Sequence, residues 1–202
     1  MREAVRNETR AAYREAILVA AERVFGRLGF HDAKMADVAA EAGVAAGTLY
    51  NYFTNKDEIF ASIIVRGREQ LDAMVQTHAH IDEPLERMRL RLRGVFAWVE
   101  DHGPLFASFI RVGGFTDYAQ KRVIDEDHEV HHSKYLALSA ATFREAMDRD
   151  QIRRDLDPDF LAAILNGMCD STMFAWFRRG CPPGIVDHAD QILDLLLRGA
   201  RP

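Results

Sequence analysis

The chain has 202 residues, 48% of them hydrophobic, which is enough apolar material for a sizeable core and excludes a mini-protein. The formal charge is −5, with 26 basic and 31 acidic side chains, so a globally basic nucleic-acid coat protein is excluded. The charge is uneven, because residues 1–56 carry 8 basic and 7 acidic side chains whereas residues 57–202 carry 18 and 24. The two parts are therefore expected to face different partners.

The cysteines and the N-terminus indicate the compartment. Cys169 and Cys181 lie twelve positions apart with no C-x-x-C pair, which argues against a disulfide framework or a structural zinc site. The N-terminus is charged and is followed by no apolar signal core, and we expect no stretch long and apolar enough to cross a bilayer. These features predict a soluble, cytoplasmic protein without a membrane partner.

Apolar residues recur at three- and four-residue steps along most of the chain, which is the pattern of amphipathic helices. The helices predicted in the N-terminal part cover residues 10–28, 35–42, 46–53 and 55–78. Gly29 ends the first helix, and Asn55 caps the fourth with Glu58 three residues later. The second and third helices are short and flank the glycine turn at Gly43. Two short helices around such a turn are typical of a helix-turn-helix.

The remaining residues predict further helices and no strand. The predicted segments are a helix from Pro84 that ends at His102-Gly103-Pro104, a shorter one over 105–110, a long helix over 117–148, a helix from Pro158 to Arg179, and a last helix from Ile185. No segment shows sustained period-two alternation with hairpin turns. The sequence therefore predicts an all-α protein of about nine helices.

Two stretches of the N-terminal part carry a family resemblance. Residues 16–30 read AILVAAERVFGRLGF, and residues 37–60 read DVAAEAGVAAGTLYNYFTNKDEIF. They resemble the N-terminal domain of the TetR/AcrR family of bacterial transcriptional regulators, with several motifs in the right order. The rest of the chain resembles the family only in length and helical character.

The resemblance implies a homodimer that binds double-stranded operator DNA through paired helix-turn-helix units. It also implies a C-terminal domain whose ligand changes DNA affinity. On this basis, residues 1–56 form the DNA-binding domain, with the helix-turn-helix at about 34–53 and a linking helix that runs to about 78. Residues 57–202 form the ligand-binding and dimerisation domain.

The third helix suits the major groove of DNA. A short helix that opens at Ala46 fits a groove about 12 Å wide, and Gly47 lets the backbone approach the DNA closely. By the resemblance, Thr48, Tyr52 and Lys56 contact the phosphate backbone. The candidate DNA-binding residues are Lys34, Ala45, Ala46, Gly47, Thr48, Tyr50, Asn51, Tyr52 and Lys56.

Several positions depart from the family pattern. Lys34 and Ala45 stand where the family usually has Ser or Thr caps, so both helices begin with weaker caps, and Lys34 is free to reach a phosphate. Asn51 is left as the one amide near the groove that can pair with adenine. We therefore expect few direct base contacts, with reliance on methyl contacts, phosphate geometry and DNA shape. Tyr50 either reads a base edge or packs the third helix against the first.

The last two helices are expected to form the dimer. The helix over 159–179 is apolar on two faces and therefore needs two partners, and Ala163, Gly167 and Ser171 permit close helix approach. The alternative is that these helices only cover their own core. The candidate interface residues are Leu161, Ile164, Gly167, Met168, Ser171, Ile192, Leu193 and Leu196.

The middle and late helices are rich in aromatic residues and methionine, which favours an adaptable cavity for a small apolar or amphipathic ligand. The candidate pocket residues are Trp98, Phe106, Phe109, Phe115, Tyr118, His131, Tyr135, Met168, Met173 and Trp176. Each of them can instead be ordinary core.

Gly113-Gly114 is either a hinge or a turn. The alternating Arg87, Arg89, Arg91 and Arg93 are typical of a solvated face, although one or two could hold an anionic ligand group.

Metal and enzymatic chemistry receive little support. His128 and His132 lie one helical turn apart, with His131 beside them, but no third ligand is visible, so no metal or cofactor is predicted. The sequence has no G-x-S-x-G and no Walker motif, which argues against an enzyme. The sequence therefore predicts a ligand-released repressor. The alternatives are an activating or ligand-insensitive regulator, and a helical carrier or enzyme.

Overall fold

The computed structural model describes the backbone of residues 2–111 and 126–200 and the side chains of residues 8–103 and 133–200. Its helices are α1 (Arg2–Leu28), α2 (Met35–Glu41), α3 (Ala46–Tyr50), α4 (Lys56–Thr77), α5 (Pro84–Arg111), α6 (Glu126–Asp148), α7 (Pro158–Arg178) and α8 (Val186–Ala200). No strand occurs in these two ranges. The all-α prediction is confirmed, and eight described helices come close to the expected nine.

The first hydrophobic core joins α1, α2, α3 and the start of α4. Its fully buried members come from the apolar stripe of α1, from the helix-turn-helix and from the first two turns of α4. They include Ile17, Val24, Phe25, Val38, Leu49, Phe53, Ile59, Phe60 and Ile63. Because α4 contributes to this core, it is anchored in the N-terminal part before it continues beside α5.

The second core lies among α5, α6, α7 and α8. Its buried residues include Met88, Phe96, Phe143, Ile152, Leu161, Leu165, Trp176, Ile185 and Leu193. The C-terminal half of α4 packs on α5 at close range, since a Cβ added to Gly67 would lie 2.5 Å from Cζ2 of Trp98. The path of α4 therefore links the two cores directly.

Helix α5 does not end at His102-Gly103-Pro104, and the predicted break there is wrong. The helix continues to Arg111. Gly103 does not end the helix but allows Trp176 to pack closely against it, because a Cβ at this position would lie 2.3 Å from Cη2 of Trp176. Tertiary packing here overrides the local helix-breaking signal. The predicted break at Gly113-Gly114 and the start of the long helix at 117 lie outside the described residues.

Helix α7 also corrects an expectation. Its 21 residues are, by length and composition, long and apolar enough to cross a membrane, whereas the sequence patterns predicted no such stretch. Core helices of soluble proteins have the same composition. Leu161, Leu165 and Trp176 on one side of α7 are buried in the second core, and other apolar residues of the helix remain exposed. One apolar side of α7 is therefore packed in the second core, and its other apolar side is exposed.

Candidate DNA-binding and ligand-binding sites

The helix-turn-helix is closed by local hydrogen bonds and by its buried side chains. Gly43 adopts φ +67° at the turn, a conformation that glycine enters without strain, and the Val44 amide donates to the Ala39 carbonyl at 3.0 Å. Val38 and Leu49 are fully buried between α2 and α3. The core thus fixes the angle between the two helices and leaves the opposite side of α3 facing outward.

The N-terminus of α2 is capped from within the helix. The carboxylate of Asp37 accepts a hydrogen bond from the backbone amide of Lys34 at 2.9 Å, which replaces part of the missing Ser or Thr cap. The side chain of Lys34 makes no capping bond and is exposed. Its ammonium group is therefore open to solvent, and phosphate binding by Lys34 stays a prediction.

Helix α3 presents small residues at its start. Ala45 provides no side-chain cap, and Ala45, Ala46 and Gly47 are all exposed. Nothing lies within 4 Å of a Cβ added to Gly47, so this end of the helix is open to an approaching molecule. Tyr50 is 55% exposed, which places its ring outside the core that the packing alternative required.

Asn51 and Thr48 complete the outward side of α3. Asn51 is exposed directly after the helix, and Thr48 is half-buried. An exposed asparagine carboxamide can pair with adenine in the major groove. The predicted residues of α3 and its two ends are therefore exposed, apart from the half-buried Thr48.

Helix α1 places side chains that were not predicted as DNA-binding residues beside Tyr52 and Phe53. The ring of Tyr13 stacks on Tyr52 with 6.2 Å between centroids, and the Arg10 guanidinium lies 6.0 Å from the Tyr52 ring. Arg14 lies over the Phe53 ring at 5.0 Å and donates to the Ser62 hydroxyl at 2.7 Å. The available signal was the i, i+4 pair of arginines on the first helix.

Lys56 is placed differently from the prediction. Its ammonium group donates to the carbonyl oxygens of Phe30, His31 and Ala33 at 2.7, 2.7 and 3.2 Å. Three bonds use all three N–H groups of an ammonium, so this side chain fixes the turn between α1 and α2 and offers no free donor to phosphate. The start of α4 can still offer backbone N–H groups to an anion.

The start of α4 is further ordered by two caps. The Asn55 side chain accepts from the Glu58 amide at 2.8 Å, as predicted. The carboxylate of Glu58 accepts hydrogen bonds from the amide and the hydroxyl of Thr54 at 2.7 and 2.8 Å, and these bonds lower the Glu58 pKa. The ordered backbone holds α4 in a fixed relation to α3.

A cavity of about 340 Å³ lies between α4, α5, α6 and α7. Leucine, valine and methionine side chains make up most of its lining, and Tyr135, Cys169 and the charged Arg68, Arg91 and Asp170 are among the other contributors. Tyr135 and Met173 were predicted as pocket residues and do line it. Burial and a 2.8 Å hydrogen bond from its hydroxyl to Asp72 raise the pKa of Tyr135. Burial also raises the pKa of the Cys169 thiol to about 12, so this thiol is neutral and unreactive at ordinary pH.

Three other predicted pocket residues lie elsewhere. Trp98 donates to the Gln70 side chain at 2.8 Å, and Trp176 is buried in the second core. Met168 lines a groove between α7 and α8 on the protein surface. Those predictions are corrected, because composition identifies apolar residues without saying which helix face they occupy. The side chains of Phe106, Phe109, Phe115, Tyr118 and His131 lie outside the described residues.

The arginine run on α5 does not form a solvated face. Arg89 and Arg93 turn to α8, where their guanidinium groups contact Asp190 at 3.1 and 2.5 Å. Arg87 pairs with Glu145 of α6. Alternate residues of a helix differ by about 200° in direction, so the four arginines divide between two sides of α5. The fourth, Arg91, lines the cavity.

The exposed sides of α7 and α8 form one apolar surface. Phe160, Phe174 and Leu195 are 58%, 48% and 61% exposed, and a groove of about 650 Å³ runs between the two helices. The groove is lined by Ile164, Gly167, Met168, Ser171, Thr172, His188, Gln191, Ile192 and Leu195. Among the predicted interface residues, Leu161 and Leu193 are instead buried in the protomer core at 4% and 0% exposure. Leu196 is half-buried.

Comparison with known proteins identifies the family. A model of bacterial regulatory proteins of the tetR family matches residues 17–63. A model of the tetracyclin repressor-like C-terminal domain matches residues 81–200. The chain belongs to the TetR family. TetR-family proteins are DNA-binding transcriptional regulators, and the two matched regions correspond to the helix-turn-helix part and to the helical part that carries the cavity.

Individual TetR-family proteins are similar over most of the chain. The transcriptional repressor BepR of Brucella suis is 29% identical over 198 residues, which cover 95% of this chain and 88% of BepR. FadR of Bacillus subtilis in complex with stearoyl-CoA has a TM-score of 0.70 at 23% identity and covers 93% of this chain and 99% of its own. The triclosan complex of SmeT, from Stenotrophomonas maltophilia, has a TM-score of 0.73 at 23% identity, and the match covers 95% of this chain and 92% of the SmeT chain.

Metal binding gains no support from the described part of this TetR-family chain. No group of three or more histidine, cysteine, aspartate or glutamate side chains there is arranged to hold an ion. The side chains of His128, His131 and His132 lie outside the described residues.

Proposed function

We propose that this protein is a cytoplasmic repressor that binds an inverted-repeat operator as a homodimer and leaves it when a small ligand enters the cavity. The observation that carries the proposal is the exposed surface of α3. Ala46, Gly47, Tyr50 and Asn51 lie outward on a helix whose other side is fixed in the core. A rigid, short helix with open small residues at its start suits insertion into the major groove.

The homodimer is supported by the apolar surface of α7 and α8. Large exposed apolar surfaces are uncommon on monomeric proteins and usually mark an interface. Small residues such as Gly167 and Ser171 allow two helices to approach closely, and nothing in the described residues lies within 4 Å of a Cβ added to Gly167. A two-fold dimer would also place two α3 helices on the two halves of a palindromic site.

Ligand control is supported by the course of α4. This helix contributes Arg68, Leu71 and Val75 to the cavity wall, and Ile59 and Phe60 to the DNA-binding core. A ligand that moves the cavity end of α4 would therefore also move the helix-turn-helix and change the separation of the two α3 helices. Bound ligand must then lower the affinity for the operator by the same factor by which bound operator lowers the affinity for the ligand.

Selection from a random duplex library, followed by titration of the enriched site at two salt concentrations, tests the proposal. We expect an enriched inverted repeat whose affinity falls with salt and whose binding stoichiometry is two chains per repeat. Enrichment of a DNA site without two-fold symmetry would contradict operator binding by a homodimer. Activation of transcription from the enriched site in a reporter strain would contradict repression while leaving DNA recognition intact.

A further inference from the structure

The cavity contains an arginine with unusually few partners. Met88, Arg91, Leu92, Val95 and Val99 of α5 all line it, and their spacing places them on one side of the helix. Arg91 is thus a single cationic group within an aliphatic stripe. An arginine in such a position normally has a carboxylate partner, because an unpaired charge is costly to bury.

The hydrogen bonds of Arg91 leave most of its donors unused. One Nη contacts the Thr142 hydroxyl at 3.4 Å, which is a long bond, and that hydroxyl itself donates to the Leu138 carbonyl at 2.9 Å. The Nε atom of Arg91 is buried and has no partner among the described residues. A guanidinium carries five N–H donors, so this group has unfilled capacity for an anion.

The neighbouring charges do not neutralise Arg91. Among the described side chains, no carboxylate oxygen lies within 4.0 Å of its nitrogens. The nearby Glu145 is already paired with Arg87 and with Arg149, the latter at 2.9 Å. Burial and the proximity of Arg87 lower the pKa of Arg91, although a guanidinium remains charged at neutral pH.

Several other polar groups at the cavity wall have partners. The amide of Asn166 donates to Asp170 at 2.9 Å, and Tyr135 donates to Asp72 at 2.8 Å. Arg68 and Asp170 also take part in further interactions. Arg91 therefore brings a full charge and unused donors to the cavity wall.

We propose that Arg91 binds the carboxylate of an amphipathic acid whose apolar part fills the cavity. This inference rests on the proposed function, because it takes the cavity as the effector site. A carboxylate can accept two parallel hydrogen bonds from the guanidinium fork, and the aliphatic wall formed by Leu92, Val95 and Val99 suits an alkyl or polycyclic body. The ligand class is then an organic acid and not a neutral hydrocarbon or a cation.

Calorimetric titration with decanoate, 1-decanol and decylammonium tests the assignment, because the three probes share one chain and differ in head group. We expect the wild type to bind decanoate about tenfold to a hundredfold more tightly than decanol, and decylammonium most weakly. R91Q should lose this preference. The matched control R93Q should keep it, since Arg93 lies on the same helix but contacts Asp190 outside the cavity.

Thermal unfolding of the ligand-free variants separates binding from a structural role. R91Q should unfold at or above the wild-type temperature, because the substitution removes a half-buried, underpartnered charge. A lower unfolding temperature for ligand-free R91Q, equal affinity for decanoate and decanol, a preference retained in R91Q, or no binding of any probe would each overturn the inference.

The selection experiment on DNA keeps this inference distinct from the proposed function. It is performed without ligand, so operator binding and acid binding are measured independently. Symmetric operator binding with no preference for decanoate would overturn only the role of Arg91. An Arg91-dependent preference for decanoate in a protein that selects no operator would overturn the regulator and retain the acid site.

Discussion

Arg66 of α4 and Glu22 of α1 form an ion pair at 2.5 Å where the two parts of the chain meet. Their side chains are only 12% and 19% exposed. The other Nη of Arg66 contacts Glu15 at 2.5 Å, and Nε2 of His102 on α5 lies 3.9 Å from the same Glu22 oxygen. Arg66 precedes the cavity residue Arg68 by two positions, so this cluster connects the cavity end of α4 to the first helix of the DNA-binding part.

Replacing Glu22 with glutamine should weaken this connection. The substitution leaves the Arg66 charge largely buried with Glu15 as its remaining carboxylate, and we expect a loss of about 1–3 kcal/mol in the free energy of unfolding. Urea denaturation measures it. R23Q is the matched control, because Arg23 is 68% exposed and lies 4.0 Å from Glu41, and its loss should stay below about 0.5 kcal/mol. Equal losses in the two variants would argue against the buried pair.

We expect Lys56 to stabilise the fold and Lys34 to bind phosphate, so substitutions of the two lysines should have different effects. K56Q removes three hydrogen bonds to carbonyl groups, so it should lower the free energy of unfolding by about 1–3 kcal/mol. It should leave the slope of log affinity against log salt unchanged. K34Q should do the opposite, with unchanged stability and a slope smaller by about one per protomer. A reduced slope in folded K56Q would show that its ammonium reaches DNA.

Asn51 should determine base preference more than overall affinity. N51A removes the exposed carboxamide at the end of α3, and we expect the operator to lose about 1–3 kcal/mol of discrimination at the contacted base pair. Affinity for random duplex DNA should hardly change, because phosphate contacts dominate nonspecific binding. Competition binding with operator and random duplexes measures both. Equal weakening on the two duplexes would count against base reading by this residue.

Gly167 allows the dimer surface to be tested without damage to the protomer. A Cβ added at this exposed position meets nothing within 4 Å in the described structure, so G167E should fold with unchanged helicity. A buried carboxylate between two protomers should abolish dimer formation and thereby operator binding. Analytical ultracentrifugation and circular dichroism report the two properties.

The control for the dimer test is A141E, which places the same charge at an exposed position of α6. It should remain dimeric and bind the operator like the wild type. A dimeric G167E, or a monomeric A141E, would exclude the α7 and α8 surface as the interface.

The sequence by itself was sufficient for the elements whose signals are local. The apolar stripe of α1, the turn at Gly43 and the cap at Asn55 each depend on residues within a few positions of one another, and all three occur as predicted. The family resemblance rests on these same local motifs. The outward position of Asn51 follows as well, because a helix with one apolar side must turn its other side to solvent.

The tertiary structure decided the features that depend on distant partners. Arg91 faces the cavity while Arg89 contacts Asp190, which is about a hundred positions away, and alternation in sequence cannot distinguish the two sides of α5. The Lys56 ammonium donates hydrogen bonds to carbonyl groups of the α1–α2 turn and is therefore not free to bind phosphate. Helix α5 runs through Gly103-Pro104 because close packing against Trp176 outweighs a local breaker. In each case the direction of a side chain, or the continuation of a helix, was fixed by a neighbour remote in sequence.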